Sequence, residues 1–144
     1  AVPLTLQKLP PKKIESMKRN LAKSFGIDAQ LDKYPGELSG GQRQRASALR
    51  AIVKHPGILF ADEPTGALDS SSATDLLNTL KESNERLHTT ILMVTHDAYA
   101  ASFADRILIF KDGCIIQELL KQNADRRTFY ESIAREVAKL DTER

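Results

Sequence analysis

The segment Ile58-Leu59-Phe60-Ala61-Asp62-Glu63-Pro64-Thr65-Gly66-Ala67-Leu68-Asp69 decides the fold of this chain. Four apolar residues lead directly into two adjacent carboxylates, and a proline and a glycine soon follow. An apolar run of this length, bounded by residues that break strands, predicts a buried strand of a parallel sheet. Asp62 and Glu63 then lie at the carboxyl end of that strand, where open α/β sheets bind their ligands.

The two adjacent carboxylates indicate a site that holds positive charge. Burying both without a counter-charge is costly, so a metal ion or a basic partner is expected. Neighbouring residues of a strand point to opposite faces, so the turn at Pro64 must redirect one of them if Asp62 and Glu63 serve one site. Metal-assisted phosphoryl transfer fits this pattern, with one carboxylate for Mg²⁺ and the other for the attacking water. The alternative is a strand end with two solvated acids and no ligand.

A second candidate site lies upstream, in Leu38-Ser39-Gly40-Gly41-Gln42. Ser39 followed three residues later by Gln42 is a capping box, which predicts that a helix begins here. Gly40 and Gly41 leave the backbone N–H groups of the first turn unobstructed. Such a helix end, with a hydroxyl beside it, suits a phosphate. A glycine-rich cap without a ligand is the alternative.

The rest of the chain alternates helices and strands. Asp69 or Ser70 is expected to begin a helix whose apolar stripe is Ala73, Leu76, Leu77 and Leu80. Residues 89–95 predict a second buried strand, which brings His96 and Asp97 to the same sheet edge as the first carboxylates. Further predictions are a helix over residues 12–25, a hairpin turn at Asp112-Gly113, and a final helix with Phe129, Ile133, Val137 and Leu140 on one face.

Composition places the chain among ordinary globular proteins, with 144 residues and a net charge of +2. Residues 1–55 carry 11 Lys/Arg against 4 Asp/Glu, whereas residues 56–144 carry 10 against 15. The basic first third either faces phosphates or an anionic membrane, or is a solvated helical face. Cys114 is the only cysteine, so an intrachain disulfide is excluded and a reducing compartment is expected.

Taken together, these motifs resemble the second half of an ATP-binding-cassette (ABC) ATPase. The pentad at residues 38–42 matches the family signature, residues 58–62 resemble the Walker B strand, and residues 67–69 resemble the D-loop. The segments at residues 63–69 and 95–97 look most like the branch of lipoprotein release, macrolide export and antimicrobial-peptide resistance. The tail from residue 126 to residue 140 is similar to bacitracin-export ATPases of Gram-positive bacteria.

Two segments that the resemblance implies are missing, the Walker A loop and the glutamine-bearing loop that precedes the helical subdomain. No Gly-x-x-x-x-Gly-Lys-Ser/Thr occurs in the 144 residues, so the Walker A loop that holds the β- and γ-phosphates is absent. We therefore expect a partial P-loop NTPase fold: a helical signature subdomain at residues 1–55, the carboxyl-terminal part of the mostly parallel core sheet at residues 56–122, and a final helix at residues 123–144. By itself the chain is expected to be inactive.

The resemblance implies a role for each candidate residue. Asp62 would hold Mg²⁺ through water, Glu63 would be the general base, and His96 would contact the γ-phosphate of ATP. Ser39, Gly40, Gly41 and Gln42 would bind the ATP of a second subunit in trans, and Asp69 would lie at that interface.

The resemblance also implies partners: a second nucleotide-binding subunit in a head-to-tail dimer, and a membrane permease at the inner face of a bacterial plasma membrane. The cargo would be an antimicrobial peptide or a lipid-linked molecule. No nucleic acid is expected, although a DNA-maintenance ATPase is an alternative that a salt-sensitive DNA complex would favour. A non-enzymatic regulatory half-cassette is the other alternative, and the presence of Glu63 and His96 argues against it.

Overall fold

The computed structural model describes the backbone of residues 10–142 and the side chains of residues 10–139. The described residues form two compact units, and the chain passes from the first to the second between Met93 and Val94.

The first unit combines helices with a two-stranded sheet. In chain order it contains helix α1 (Pro11–Ser24), two 3₁₀ turns (Asp28–Gln30 and Pro35–Glu37), helix α2 (Gly40–Ile52), strand β1 (Ile58–Asp62), helix α3 (Ser70–Leu87) and strand β2 (Thr90–Val94), whose last residue falls in the second unit. β1 and β2 are hydrogen-bonded neighbours. The 18-residue helix α3 lies between them in the chain, and a helix of this kind is the usual connection between parallel strands. The predicted partial α/β fold is therefore confirmed.

Local sequence signals set the ends of the helices. Gly26 follows α1 with a φ of +60°, a conformation that glycine adopts without steric cost. Ser39 caps α2 and Asp69 caps α3, each by accepting a hydrogen bond from a backbone N–H of the first turn. α3 ends at Leu87, and His88, which follows it, has a left-handed φ of 53°. The predicted starts of α2 and α3 are confirmed.

The core of the first unit joins all three helices to the sheet. Ile52 and Leu76 are almost completely buried. One apolar cluster contains Ala22, Phe25, Ile27, Leu49, Ile52, Leu59, Leu76 and Leu80. Because α1, α2, β1 and α3 all contribute to this cluster, the signature helix and the strand that carries Asp62 belong to one packed body.

One face of the sheet is exposed, so the prediction that both strands are buried is wrong. Leu59 is 6% exposed, whereas Ile58 and Phe60, which alternate with it along β1, are 54% and 72% exposed. On β2, Leu92 is 53% exposed. An apolar strand is buried on both faces only where layers cover both. In the first unit the apolar cluster is built on the Leu59 face.

The second unit contains a hairpin between two helices. Its elements are helix α4 (Ala98–Ala101), strands β3 (Arg106–Lys111) and β4 (Cys114–Leu120), and helix α5 (Arg126–Thr142). β3 and β4 are antiparallel. Asp112 and Gly113 have φ values of 50° and 78° in the connecting turn. A type I′ turn requires positive φ at both central residues, so the predicted Asp-Gly hairpin is confirmed.

Helix α5 packs within its own unit. The Asp125 carboxylate accepts hydrogen bonds from the Thr128 N–H at 2.9 Å and from the Thr128 hydroxyl at 3.0 Å. Phe129 and Ile133 are buried, whereas Val137 on the predicted stripe is 40% exposed. The side chain of Leu140, the last member of that stripe, lies outside the described residues.

The compact units do not follow the predicted boundaries at 55/56 and 122/123. The core described above crosses the first boundary, because α1 and α2 share it with β1 and α3. At the second boundary, β4 and α5 belong to one unit. Residues 1–9 and 143–144 of the predicted domains lie outside the described residues. Within the described part of the chain, no helix combines the length and the apolar character that a membrane span needs.

Replacing Leu76 with Ala tests this core. The side chain is 1% exposed, so the free energy of unfolding of the 144-residue chain should fall by about 2–5 kcal/mol in urea denaturation. Leu92→Ala is the matched control on the exposed sheet face and should cost roughly 1 kcal/mol or less. Equal losses at the two positions would contradict the assigned core.

Candidate functional site

The amino-terminal end of α2 is built by the capping box that the sequence predicts. The Ser39 hydroxyl accepts a hydrogen bond from the Gln42 N–H at 3.2 Å. In return, the Gln42 side-chain oxygen accepts one from the Ser39 N–H at 3.0 Å. Ser39 and Gly40 are exposed, and Gly41 and Gln42 are partly buried. Two of the orphan donors at this helix end are thus satisfied internally, and the glycine surface of the first turn stays accessible.

The two glycines lie against the turn that follows β1. A Cβ placed on Gly41 would come within 2.8 Å of Leu68 Cδ2, whereas one on Gly40 would meet the Ala67 Cβ at 3.8 Å. The first distance is shorter than side-chain contacts allow and the second is an ordinary van der Waals contact. Gly41 therefore permits a close approach between α2 and residues 67–68, and a side chain at this position would require the δ-methyl end of Leu68 to shift.

The carboxylates at the end of β1 differ in burial and in backbone conformation. Asp62 is exposed and Glu63 is partly buried. Because Asp62 is exposed, its carboxylate does not carry the cost of burial that the sequence predicted for both residues. Glu63 has a φ of 42°, in the left-handed region that residues other than glycine seldom adopt. The alternation of side chains between the two faces of β1 thus ends at Glu63. The sequence predicted that it would end one residue later, at Pro64.

Gln44 joins α2 to this turn, a contact that the sequence analysis missed. Its side-chain Nε2 donates to the Glu63 carbonyl at 3.0 Å, and its Oε1 accepts from the Ala67 N–H at 3.3 Å. Gln44 follows Gly40 by four residues and Gly41 by three, the spacings that place residues on one helix face. This spacing of a polar residue after the glycine pair was the sequence feature from which the contact could have been predicted.

Asp69 caps α3 and is hydrogen-bonded to Ser72. Its carboxylate accepts from the Ser72 N–H and from the Ser72 hydroxyl, both at 2.9 Å. These hydrogen bonds, the backbone one first, hold the pKa of Asp69 below its ordinary value. The Arg45 guanidinium extends the contact by donating to the Ser72 hydroxyl at 3.5 Å. α2 thus reaches both the Glu63 turn and the beginning of α3.

His96 belongs to the second unit and is exposed there. It precedes Asp97, whose carboxylate caps the short helix α4 by accepting from the Tyr99 N–H at 2.9 Å. Because Asp62 and Glu63 belong to the first unit, the shared sheet edge that the sequence analysis assigned to all these side chains stays a prediction.

Comparison with known proteins gives a consistent result. A family model described as "ABC transporter" matches residues 8–66. The bacitracin export ATP-binding protein BceA of Halalkalibacterium halodurans is 51% identical over 132 residues, which make up 92% of this chain and 52% of that protein. The macrolide export ATP-binding/permease protein MacB of Pasteurella multocida is 46% identical over 123 residues, which cover 81% of this chain and 19% of MacB.

Solved structures agree. The ATP-binding cassette MJ0796, in a dimeric post-hydrolysis state bound to ADP and Pi, superimposes with a TM-score of 0.72 and 33% identity, covering 80% of this chain and 50% of that one. The chain belongs to the ABC ATPase family.

The matches confirm the predicted family and agree with the predicted export branch, since relatives are named for bacitracin and for macrolide export. The chain spans about half the length of curated relatives such as BceA. Below, the start of α2 with its cap (residues 39–42) is called the signature turn. The segment from the last residue of β1 to the cap of α3 (residues 62–69) is called the acidic turn.

The acidic turn fits a magnesium ion held mainly by groups other than protein side chains. Among the described residues, no group of three or more His, Cys, Asp or Glu side chains is close enough to enclose a metal. Mg²⁺ is commonly held by one or two carboxylates together with substrate phosphates and water. The exposed carboxylate of Asp62 at the end of β1 suits that kind of coordination.

The close approach at Gly41 predicts an energetic coupling with Leu68. In a double-mutant cycle on the 144-residue chain, Gly41→Ala and Leu68→Ala should couple by about 0.5–3 kcal/mol, because shortening Leu68 removes the atom that a new Cβ would meet. The same cycle with Gly40→Ala should show little coupling, since its Cβ has room. Equal coupling at both glycines in urea denaturation would contradict this geometry.

Asp69 should titrate below about 3.9, the usual aspartate pKa. Ser72→Ala removes one of its hydrogen-bond donors, so the pKa followed by carboxyl ¹³C NMR should rise. Because the folded-state pKa is lowered, the stabilisation from this carboxylate is present above about pH 4 and is lost as the pH falls through the folded-state value. Asp69→Asn keeps a cap that cannot titrate and should remove this part of the pH dependence. An unchanged pKa in Ser72→Ala would contradict the assigned cause.

Proposed function

We propose that this chain provides the signature and catalytic residues of an ABC transporter ATPase, which couples the hydrolysis of Mg-ATP to the export or release of a substrate. The cargo we propose is an antimicrobial peptide or a lipid-linked molecule. Among the relatives, one is named for the export of bacitracin and one for the export of macrolides.

The contact between the signature turn and the acidic turn carries this proposal. Gly41 lies against Leu68, and Gln44 bonds to the backbone at Glu63 and Ala67. A phosphate-binding helix end and a pair of carboxylates are thus held together in one compact unit. Phosphoryl transfer needs both kinds of group, because its catalysis rests on positioning and on charge stabilisation. In the proposed dimer each ATP lies between the carboxylates of one subunit and the signature turn of the other, so this chain contributes to two sites.

Within this proposal Asp62, Glu63 and His96 have separate roles. The exposed Asp62 would hold Mg²⁺, together with phosphate oxygens and water. Glu63 orients the attacking water and accepts its proton as general base. His96 contacts the γ-phosphate and stabilises the charge that develops on it.

The signature turn acts on a second subunit. Ser39, Gly40, Gly41 and Gln42 bind the γ-phosphate of ATP held by the opposite subunit of a head-to-tail dimer, and Asp69 lies at that interface. The exposed start of α2 supports this role, because the positive end of a 13-residue helix attracts phosphate. The dimeric structure of MJ0796 with ADP and Pi supports the subunit arrangement by likeness.

The remaining partner is a membrane permease at the inner face of the bacterial plasma membrane. The excess of basic residues before position 55 supports a surface that docks there, near anionic headgroups. MacB, a relative, is named as an ATP-binding and permease protein in one chain. The permease selects the cargo, and nucleic acid has no part in the reaction.

The 144 residues alone should hydrolyse no ATP. They contain no Gly-x-x-x-x-Gly-Lys-Ser/Thr segment, and backbone N–H groups of that loop bind the phosphates in P-loop enzymes. Robust Mg-dependent turnover by the purified 144-residue chain would contradict this expectation.

The decisive experiment uses the whole gene product, meaning the full translation of the reading frame that encodes these residues. Glu63→Gln should lower kcat for ATP hydrolysis by about 10²–10⁴-fold, because a general base is lost, while ATP binding measured by calorimetry persists. Glu82→Gln, a change at an exposed glutamate on α3, is the control and should leave kcat unchanged. Undiminished turnover in Glu63→Gln, or no turnover in the unaltered protein, would contradict the proposal.

A further inference from the structure

The side chain of Gln44 spans the acidic turn from one end to the other. Its Nε2 donates to the carbonyl of Glu63 and its Oε1 accepts from the N–H of Ala67, at 3.0 and 3.3 Å. The turn closes on the same carbonyl, which also accepts from the Gly66 N–H at 3.1 Å. One amide group therefore bonds to two peptides of the turn, at Glu63 and at Ala67.

The backbone at Glu63 needs such support. Its φ of 42° is left-handed, and a residue with a side chain is strained in that region relative to ordinary backbone conformations. Such a conformation persists only where its surroundings impose it. The φ of Glu63 also sets the direction of its Cα–Cβ bond, and so the region that its carboxylate can reach.

We propose that Gln44 is a positioning residue for the general base: it holds Glu63 in the left-handed conformation from which the carboxylate acts. This inference rests on the proposed function, in which Glu63 is the base. In this role Gln44 acts through its hydrogen bond to the backbone of Glu63 and not by direct contact with ATP or the attacking water.

The chemistry of the position favours a glutamine over its nearest substitutes. Gln44 uses one donor and one acceptor, which an amide supplies together. A glutamate of the same length keeps an acceptor for Ala67 and loses the donor to Glu63. An asparagine has both groups on a side chain that is one methylene shorter.

The position of Gln44 also ties the base to the signature turn. Gln44 lies on α2, whose first residues are Gly40 and Gly41. Because the same helix carries the residues proposed to bind ATP in trans, a displacement of its first turn acts on the backbone of Glu63 through one side chain. ATP binding by the opposite subunit and activation of the base in this chain are thereby coupled.

The test compares Gln44→Ala, Gln44→Glu and Gln44→Asn in the whole gene product, with Ser47→Ala as the control on the exposed side of the same helix. For all three Gln44 variants we expect kcat to fall by about 10- to 100-fold, the range that small misplacements of a catalytic group produce. The Kd for ATP, measured in the absence of turnover, should stay within about twofold, since an interaction made in the transition state is what is lost. Ser47→Ala should match the unaltered protein in both quantities.

Amide hydrogen exchange separates positioning of the base from general support of the fold. Gln44→Ala removes the acceptor for the Ala67 N–H, so the exchange of that amide should accelerate. Gln44→Glu retains the acceptor, so Ala67 should stay protected while kcat falls. If Gln44 only supported the fold, kcat would follow the protection of the Ala67 amide, so Gln44→Glu would keep both and Gln44→Ala would lose both.

Several outcomes would overturn the inference: a kcat within about twofold of the unaltered protein in Gln44→Ala and Gln44→Glu, a loss of ATP affinity parallel to the loss of kcat, or an equal loss in Ser47→Ala. Glu63→Gln, measured alongside, distinguishes the two proposals. If Glu63→Gln retains turnover, the proposed function fails. If it abolishes turnover while the Gln44 variants remain active, the positioning role alone fails.

Discussion

The close packing of the first turn of α2 against residues 67–68 is the constraint on which the first unit depends. Leu68 occupies the space that a side chain at Gly41 would need, with only 2.8 Å between Leu68 Cδ2 and the position of a Cβ. Leu68 itself packs against the buried cluster that joins α1, α2, β1 and α3. Gly41 thus allows the core to fix the distance between the first turn of α2 and residues 67–68. Glycine in a helix costs about 1 kcal/mol relative to alanine, and the contact with Leu68 gives that cost a structural purpose.

The second constraint is the left-handed backbone conformation of Glu63. A strand that continued regularly would send Asp62 and Glu63 to opposite faces of the sheet. The left-handed conformation of Glu63 ends that alternation, and the side chain of Gln44, 19 residues earlier in the chain, bonds to the peptide that has turned. Strained residues of this kind occur at sites where the surrounding structure over-determines them. The acidic turn is therefore shaped by α2 as much as by its own proline and glycine.

Local chemistry explains what the sequence could predict. The capping box of Ser39 and Gln42, the cap at Asp69 and the Asp112-Gly113 turn each depend on a few neighbouring residues, and each occurs in the structure. Burial of Phe60 depends instead on which layers cover the sheet, and the apolar pattern alone predicted it incorrectly. The bridge from Gln44 and the φ of Glu63 are tertiary effects that no local pattern contains. The same holds for the division at Met93, which follows from a core shared across the predicted boundary.

The central claim is that the signature turn and the acidic turn form one packed body. The most direct test is a nuclear Overhauser experiment on the 144-residue chain with labelled leucine methyl groups. The packing predicts a strong cross-peak between the α-protons of Gly41 and a δ-methyl of Leu68, because a Cβ in place of one of those protons would lie only 2.8 Å from Cδ2. Its absence, in a chain whose Leu76 methyl groups still show contacts within the core, would contradict the claim.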